Sequence, residues 1–124
     1  MLTLTPLPNI PLIEKDDDLA QIILKNCKIP LDDGDILVLA QKIVSKAEGR
    51  LVNLADVKPS PLALQLAEET QKDPRVVELI LSESKEIIRK RPGLIVVEHK
   101  LGFICANAGI DHSNVQGLEH VLLL

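Results

Sequence analysis

At 124 residues the chain is long enough for one domain with a real core and too short for two generous ones. Its composition is 46% apolar but only 1% aromatic, with Phe103 the single example, so the core must be aliphatic and base stacking on aromatic rings is excluded. A formal charge of −4 likewise excludes a general phosphate-backbone binder, which needs a basic face.

In chain order, Pro6, Pro8 and Pro11 keep Leu4 to Ile13 extended. Asp16, Asp17 and Asp18 supply a cap and favourable charge for a helix whose apolar face is Leu19, Ile22, Ile23 and Cys27. Leu31 to Asp35 is a turn, and the continuous apolar run Ile36 to Ala40 predicts a buried strand. Gln41 to Glu48 then predicts a short helix ending at Gly49, and Arg50 to Leu54 a further strand. Ser60-Pro61 opens a helix through about Thr70, and Asp73-Pro74 opens the next, with Val76, Val77, Ile80 and Leu81 facing the core.

Lys85 to Arg91 mixes apolar and basic residues, as a solvated edge strand does. Pro92-Gly93 is a turn. Leu94 to Val97 and Phe103 to Ala106 predict two strands joined as a hairpin near Lys100-Leu101-Gly102, the second of them buried. Val121 to Leu124 is a last strand-like run, of the kind that needs a partner or further chain to cover it. These elements predict an α+β fold in a single domain, a mixed β-sheet with flanking helices.

Cys27 and Cys105 are isolated and lack metal-ligand spacing, which predicts neither a disulfide nor a zinc site and points to a reducing cytoplasm. The start of the chain lacks the basic and apolar pattern of a signal peptide, and no run approaches a membrane span.

Two polar clusters follow apolar runs and carry candidate chemistry. The first is Gln41 to Arg50, where Lys42 and Lys46, four apart, project from one helix face near Ser45. Two ammonium groups at a strand-to-helix junction suit an oligophosphate, although the pattern is not a Walker A loop and a solvated surface helix reads the same way. The second is Asn107, Gly109, Asp111, Ser113 and Asn114, richer in polar groups than a turn requires. Asp111 is its metal candidate, since a carboxylate among amides suits a hard cation such as Mg²⁺ or Mn²⁺. His112 is a guess from proximity; His99 and His120 have no ligand spacing.

Ile10-Pro-Leu-Ile13, Asp33 to Val38, Gln41 to Arg50 and Gly102 to Val115 together resemble the N-terminal part of the coenzyme F-420:L-glutamate ligase family, and the likeness runs from about residue 8 to the end. The resemblance implies a GTP-dependent amide ligase in which GTP phosphorylates the terminal carboxylate of a coenzyme F-420 precursor and the amine of L-glutamate attacks the acyl phosphate. By the same resemblance Asp111 matches a metal ligand for Mg²⁺ or Mn²⁺, with K⁺ a further candidate cation. Asn114 and Ile10, Pro11, Leu12 and Ile13 match guanine-nucleotide contacts, and Gln41, Lys42 and Lys46 match the nucleotide-binding cluster. The resemblance also implies a homodimer, and it places the remaining metal ligands, an adjacent Asp-Thr pair, beyond the position of Leu124. The rival expectations are a non-catalytic nucleotide-binding or assembly module from the same family and a ligase acting on another carboxylate acceptor.

Overall fold

Local signals in the sequence decide most of the elements, and the computed structural model, which describes residues 1–112 and 119–124, shows which of them find partners. The chain forms two compact units, Met1–Arg50 and Leu51–Leu124.

In the first unit, helix α1 (Leu19–Asn26) begins where the Asp18 carboxylate accepts the Gln21 N–H at 3.0 Å, as the acidic triplet predicts. Its face of Leu19, Ile22, Ile23 and Cys27 is the more covered one, but all four remain half-buried. Helix α2 (Gln41–Ala47) ends at Gly49, whose φ of +70° suits glycine. The Lys15 stem fills the space there: a Cβ on Gly49 would lie 2.9 Å from Lys15 Cε. Asp16 donates its N–H to Ala47 O at 2.8 Å, so the segment after Ile13 is tied to the end of α2.

The buried strand expected over Ile36 to Ala40 is not formed. These residues lie outside any strand or helix, and Ile36 and Val38 are 84% and 89% exposed. Apolar composition supplies a strand's side chains but not the neighbouring backbone whose N–H and C=O groups a ladder requires.

In the second unit, β1 (Leu51–Asn53) pairs antiparallel with β5 (His120–Leu122), Val52 opposite Val121. Helices α3 (Pro61–Thr70) and α4 (Pro74–Ser82) start at Ser60 and Asp73, each with proline in its first turn, as the Ser-Pro and Asp-Pro pairs predict. A three-stranded antiparallel sheet follows in the order β2 (Ser84–Arg91), β3 (Leu94–His99), β4 (Ile104–Ala106). On β3, Ile95, Val97 and His99 are buried and alternate with half-buried Leu94, Val96 and Glu98, so one sheet face meets the core. Val77, Ile80, Ile95 and Val97 have no exposed surface, and burial of each such side chain contributes roughly 1.5–3 kcal/mol.

The α+β class holds, and every strand pair among the described residues is antiparallel. The expected burial of Phe103 to Ala106 is corrected. Phe103 and Ile104 are 42% and 62% exposed, because β4 is an edge strand and turns only Cys105 inward. The basic strand β2 forms the other edge, as expected.

Candidate functional site

The two clusters fall in different units. In the first unit, the segment that follows Ile13 reaches α2 through the Asp16–Ala47 hydrogen bond. Ile13 is buried and Leu12 is 88% exposed. Ile10 and Ile13 join Leu19, Ile22, Leu39 and Ile43 around an open, mainly apolar hollow of about 950 Å³. On α2, Gln41, Lys42 and Lys46 are all half-buried. Gln41 Nε2 donates to Ser45 Oγ at 3.0 Å, and Ser45 is 1% exposed. Ser45 therefore belongs to the packed side of the helix, and its hydroxyl fixes Gln41 rather than standing beside the lysines as a phosphate donor.

In the second unit, β4 leads into a turn over Asn107–Gly109 in which three successive residues have positive φ: Asn107 at 50°, Ala108 at 52° and Gly109 at 69°. Glycine and asparagine tolerate this region, but alanine does so at a cost of about 1–2 kcal/mol. Ala108 is nevertheless wholly buried. Two contacts hold the turn. The Asn107 side-chain oxygen accepts the Ile95 N–H at 3.0 Å, next to the rung where β4 leaves β3. Gly109 lies so close to Leu124 that a Cβ would sit 2.2 Å from Leu124 Cδ1. Asn107, one of the polar residues of the second cluster, thus serves the sheet backbone and not a ligand.

Asp111 follows directly and exchanges both backbone hydrogen bonds with Leu122, each 2.9 Å. Leu122 also pairs with Leu51. The candidate metal ligand is thus held at main-chain level, half-buried, after a strained turn. Backbone strain of this kind concentrates where a structure must aim a functional group. His112 is exposed, and Ser113 and Asn114 lie outside the described residues.

Asp73, Glu78, Glu119 and His99 of this unit serve the fold. Arg75 joins Asp73, at 2.7 Å, to Glu119, at 2.5 Å, and its side-chain hydrogen bonds hold the Asp73 carboxyl below its ordinary value. Hydrogen bonds from Ser60 lower Glu78 in the same way and tie the start of α3 to α4. His99 is 2% exposed, stacks on Phe103 with ring centres 5.1 Å apart, and accepts the Leu101 N–H at Nδ1. That acceptance fixes its proton on Nε2, which faces Glu83 at 3.6 Å. Burial raises the Cys105 thiol pKa and keeps it protonated at neutral pH. Nothing in their spacing announced these roles; they depend on which elements meet.

Among the described residues no cluster of three or more His, Cys, Asp or Glu side chains stands ready for a metal. Asp111 supplies one oxygen donor of the kind Mg²⁺ or Mn²⁺ takes, so the chain fits such an ion as one ligand of several. No helix among the described residues is long and apolar enough to cross a membrane.

The sequence profile of the F420-0:Gamma-glutamyl ligase family matches residues 8–124. The chain belongs to that family. A coenzyme F420:L-glutamate ligase of Methanothermobacter thermautotrophicus is 50% identical over 117 residues, covering 92% of this chain and 46% of the relative. The enzyme of the same name from Methanopyrus kandleri is 47% identical, covering 91% and 44%, and that from Methanosarcina barkeri 44% identical, covering 87% and 41%. The chain therefore spans a little under half the length of these members of the F420-0:gamma-glutamyl ligase family.

Proposed function

We propose that this chain is the N-terminal part of a GTP- and divalent-metal-dependent ligase that adds L-glutamate to a coenzyme F420 precursor. Both units belong to one ligase domain in this reading, and the working protein is a cytoplasmic homodimer. The observation that carries it is the family match over residues 8–124, with Asp111 fixed by its paired bonds to Leu122.

A carboxylate resists attack by an amine until one oxygen becomes a leaving group. In the proposed reaction an acceptor carboxylate oxygen attacks the γ-phosphorus of GTP, and GDP leaves. The glutamate amine then attacks the acyl carbon, loses a proton, and expels inorganic phosphate. Lys42 and Lys46 offset the charge of the nucleotide phosphates, Gln41 is oriented by Ser45, and Ile10 to Ile13 lie against the base. Asp111 would hold the divalent ion, with or without K⁺ nearby, and the ion when bound would neutralise charge on the transferring phosphoryl group. Asn114 belongs to the same nucleotide set.

Calorimetric titration with GTP, with and without Mn²⁺, tests the reading. Metal-dependent binding that Asp111→Asn weakens at least about tenfold, while the melting temperature stays put, is the expected outcome. Binding indifferent to Mn²⁺ or to that substitution would remove Asp111 from the site. A second reading, a nucleotide-binding assembly module without chemistry, is favoured by the exposed apolar run Ile36 to Val38. Nucleotide binding by the whole protein without glutamate-dependent GDP release, in the presence of the acceptor, would select it.

A further inference from the structure

The basic strand β2 is absent from the proposed chemistry, and its charges are not alike. Lys85 pairs with Glu98 at 3.2 Å, and Lys90 pairs with Glu69 on α3. Among the described residues Arg89 and Arg91 make no ion pair. The register sets Arg89 opposite Val96 and Arg91 opposite Leu94, so all four side chains share the sheet face turned away from buried Ile95 and Val97. Together with Lys90 they line a cavity of about 340 Å³.

Edge protection explains positive charge on β2, but any lysine would provide it. It does not explain two guanidinium groups side by side above an apolar floor, where they repel each other until an anion lies between them. Alternate residues on one strand are about 6.6 Å apart. In an extended γ-linked glutamate chain, successive α-carboxylates are spaced by one peptide unit plus two methylenes, about 6 Å. Each guanidinium fork matches one carboxylate, and the methylenes between them match Leu94 and Val96.

We propose that the open face of the β2–β3 hairpin is a binding site for a γ-linked oligoglutamate, with consecutive α-carboxylates held by Arg89 and Arg91. The choice of a γ-glutamyl ligand rests on the ligase reading above; the pairing of two guanidiniums over an apolar floor does not. Such a site holds the α-carboxylates of a growing tail, leaves its terminal γ-carboxylate to react, and favours acceptors that already carry glutamate.

The test is titration of the ¹⁵N-labelled 124-residue chain with γ-glutamylglutamate, free glutamate and inorganic phosphate at matched ionic strength. The dipeptide should shift the amides of residues 89–96 and bind about fivefold or more tighter than either single anion. The Arg89→Gln/Arg91→Gln double variant should lose about tenfold or more, while Lys58→Gln changes nothing. Equal affinity for all three anions, shifts scattered over the surface lysines, or an unaltered double variant would overturn the proposal. A circular dichroism spectrum matching the unsubstituted chain shows that the double variant is folded. Dipeptide binding at the hairpin, together with a whole protein that never ligates glutamate, would sink the ligase reading and leave the site standing. Ligation without hairpin binding would sink the site alone.

Discussion

At Asn107 three demands fall on one residue. It must leave β4, adopt a φ of 50°, and supply an acceptor to the N–H of wholly buried Ile95. Asn107→Ala should lower the unfolding free energy by about 1–3 kcal/mol through the orphaned N–H, with roughly 1 kcal/mol more for the backbone. Asn107→Gly should recover only the second part. Urea denaturation of both variants checks this: a glycine variant as stable as the unsubstituted chain would show that the hydrogen bond contributes nothing, and equal midpoints for the two variants would show the same of the backbone cost. Two residues on, Gly109→Ala meets both a φ of +69° and a Cβ contact with Leu124. It should cost more than Gly93→Ala, where φ is +81° but the space is open, by about 1 kcal/mol or more. Thermal melts of the pair isolate the contact; equal losses would mean that Leu124 simply moves aside. The sequence displayed Asn107 and Gly109 as candidate loop residues, but their partners, Ile95 and Leu124, lie at distances in the chain that no local pattern spans.

Among the elements, α4 depends most visibly on charge. Asp73 caps it by accepting the Arg75 N–H at 2.8 Å and also receives the Arg75 side chain, which lowers its carboxyl pKa below the ordinary 3.8. A carboxyl with a lowered folded-state pKa contributes stability that is complete above the unfolded value and is lost as pH falls through the folded one. Acid unfolding below about pH 4 should therefore be shallower in Asp73→Asn than in the unsubstituted chain. At neutral pH Asp73→Ala should cost about 1 kcal/mol for the cap, and little more, because the ion pair is partly exposed. Parallel acid profiles would dismiss the linkage. The Asp-Pro pair makes this cap legible in the sequence, as Ser60-Pro61 does for α3. The bridge from Arg75 to Glu119 was not legible, since its ends are 44 positions apart. The run Ile36 to Ala40 failed for the opposite reason: its composition fits a buried strand, yet no ladder forms on it.

On the scale of the molecule, burial is unevenly shared. In Met1–Arg50 only Ile13 and Ser45 are buried, whereas Leu51–Leu124 holds the contiguous core around Val77, Ile80, Ile95 and Val97. Hydrogen exchange should be slowest at those core positions and fast at the amides of Ile36 to Ala40. Limited proteolysis should cut within residues 1–50 first and leave a resistant piece from about Leu51 onward. Protection at Ile36 to Ala40 matching that at Ile95 would show that this run has found a strand partner in solution.

What the sequence determined by itself was local and periodic. Caps, prolines, turn glycines and alternating apolar residues located the helices, the hairpin and the edge strand, because each signal acts within a few residues. The four ordered motifs were also enough to identify the family. Only the tertiary structure decided which of those elements pair, that Asn107 serves the sheet while Asp111 is pinned to Leu122, and that Arg89 and Arg91 share a face. Such pairings depend on backbone groups meeting across long stretches of chain, and an apolar or polar pattern states that a partner is needed without saying which one it is.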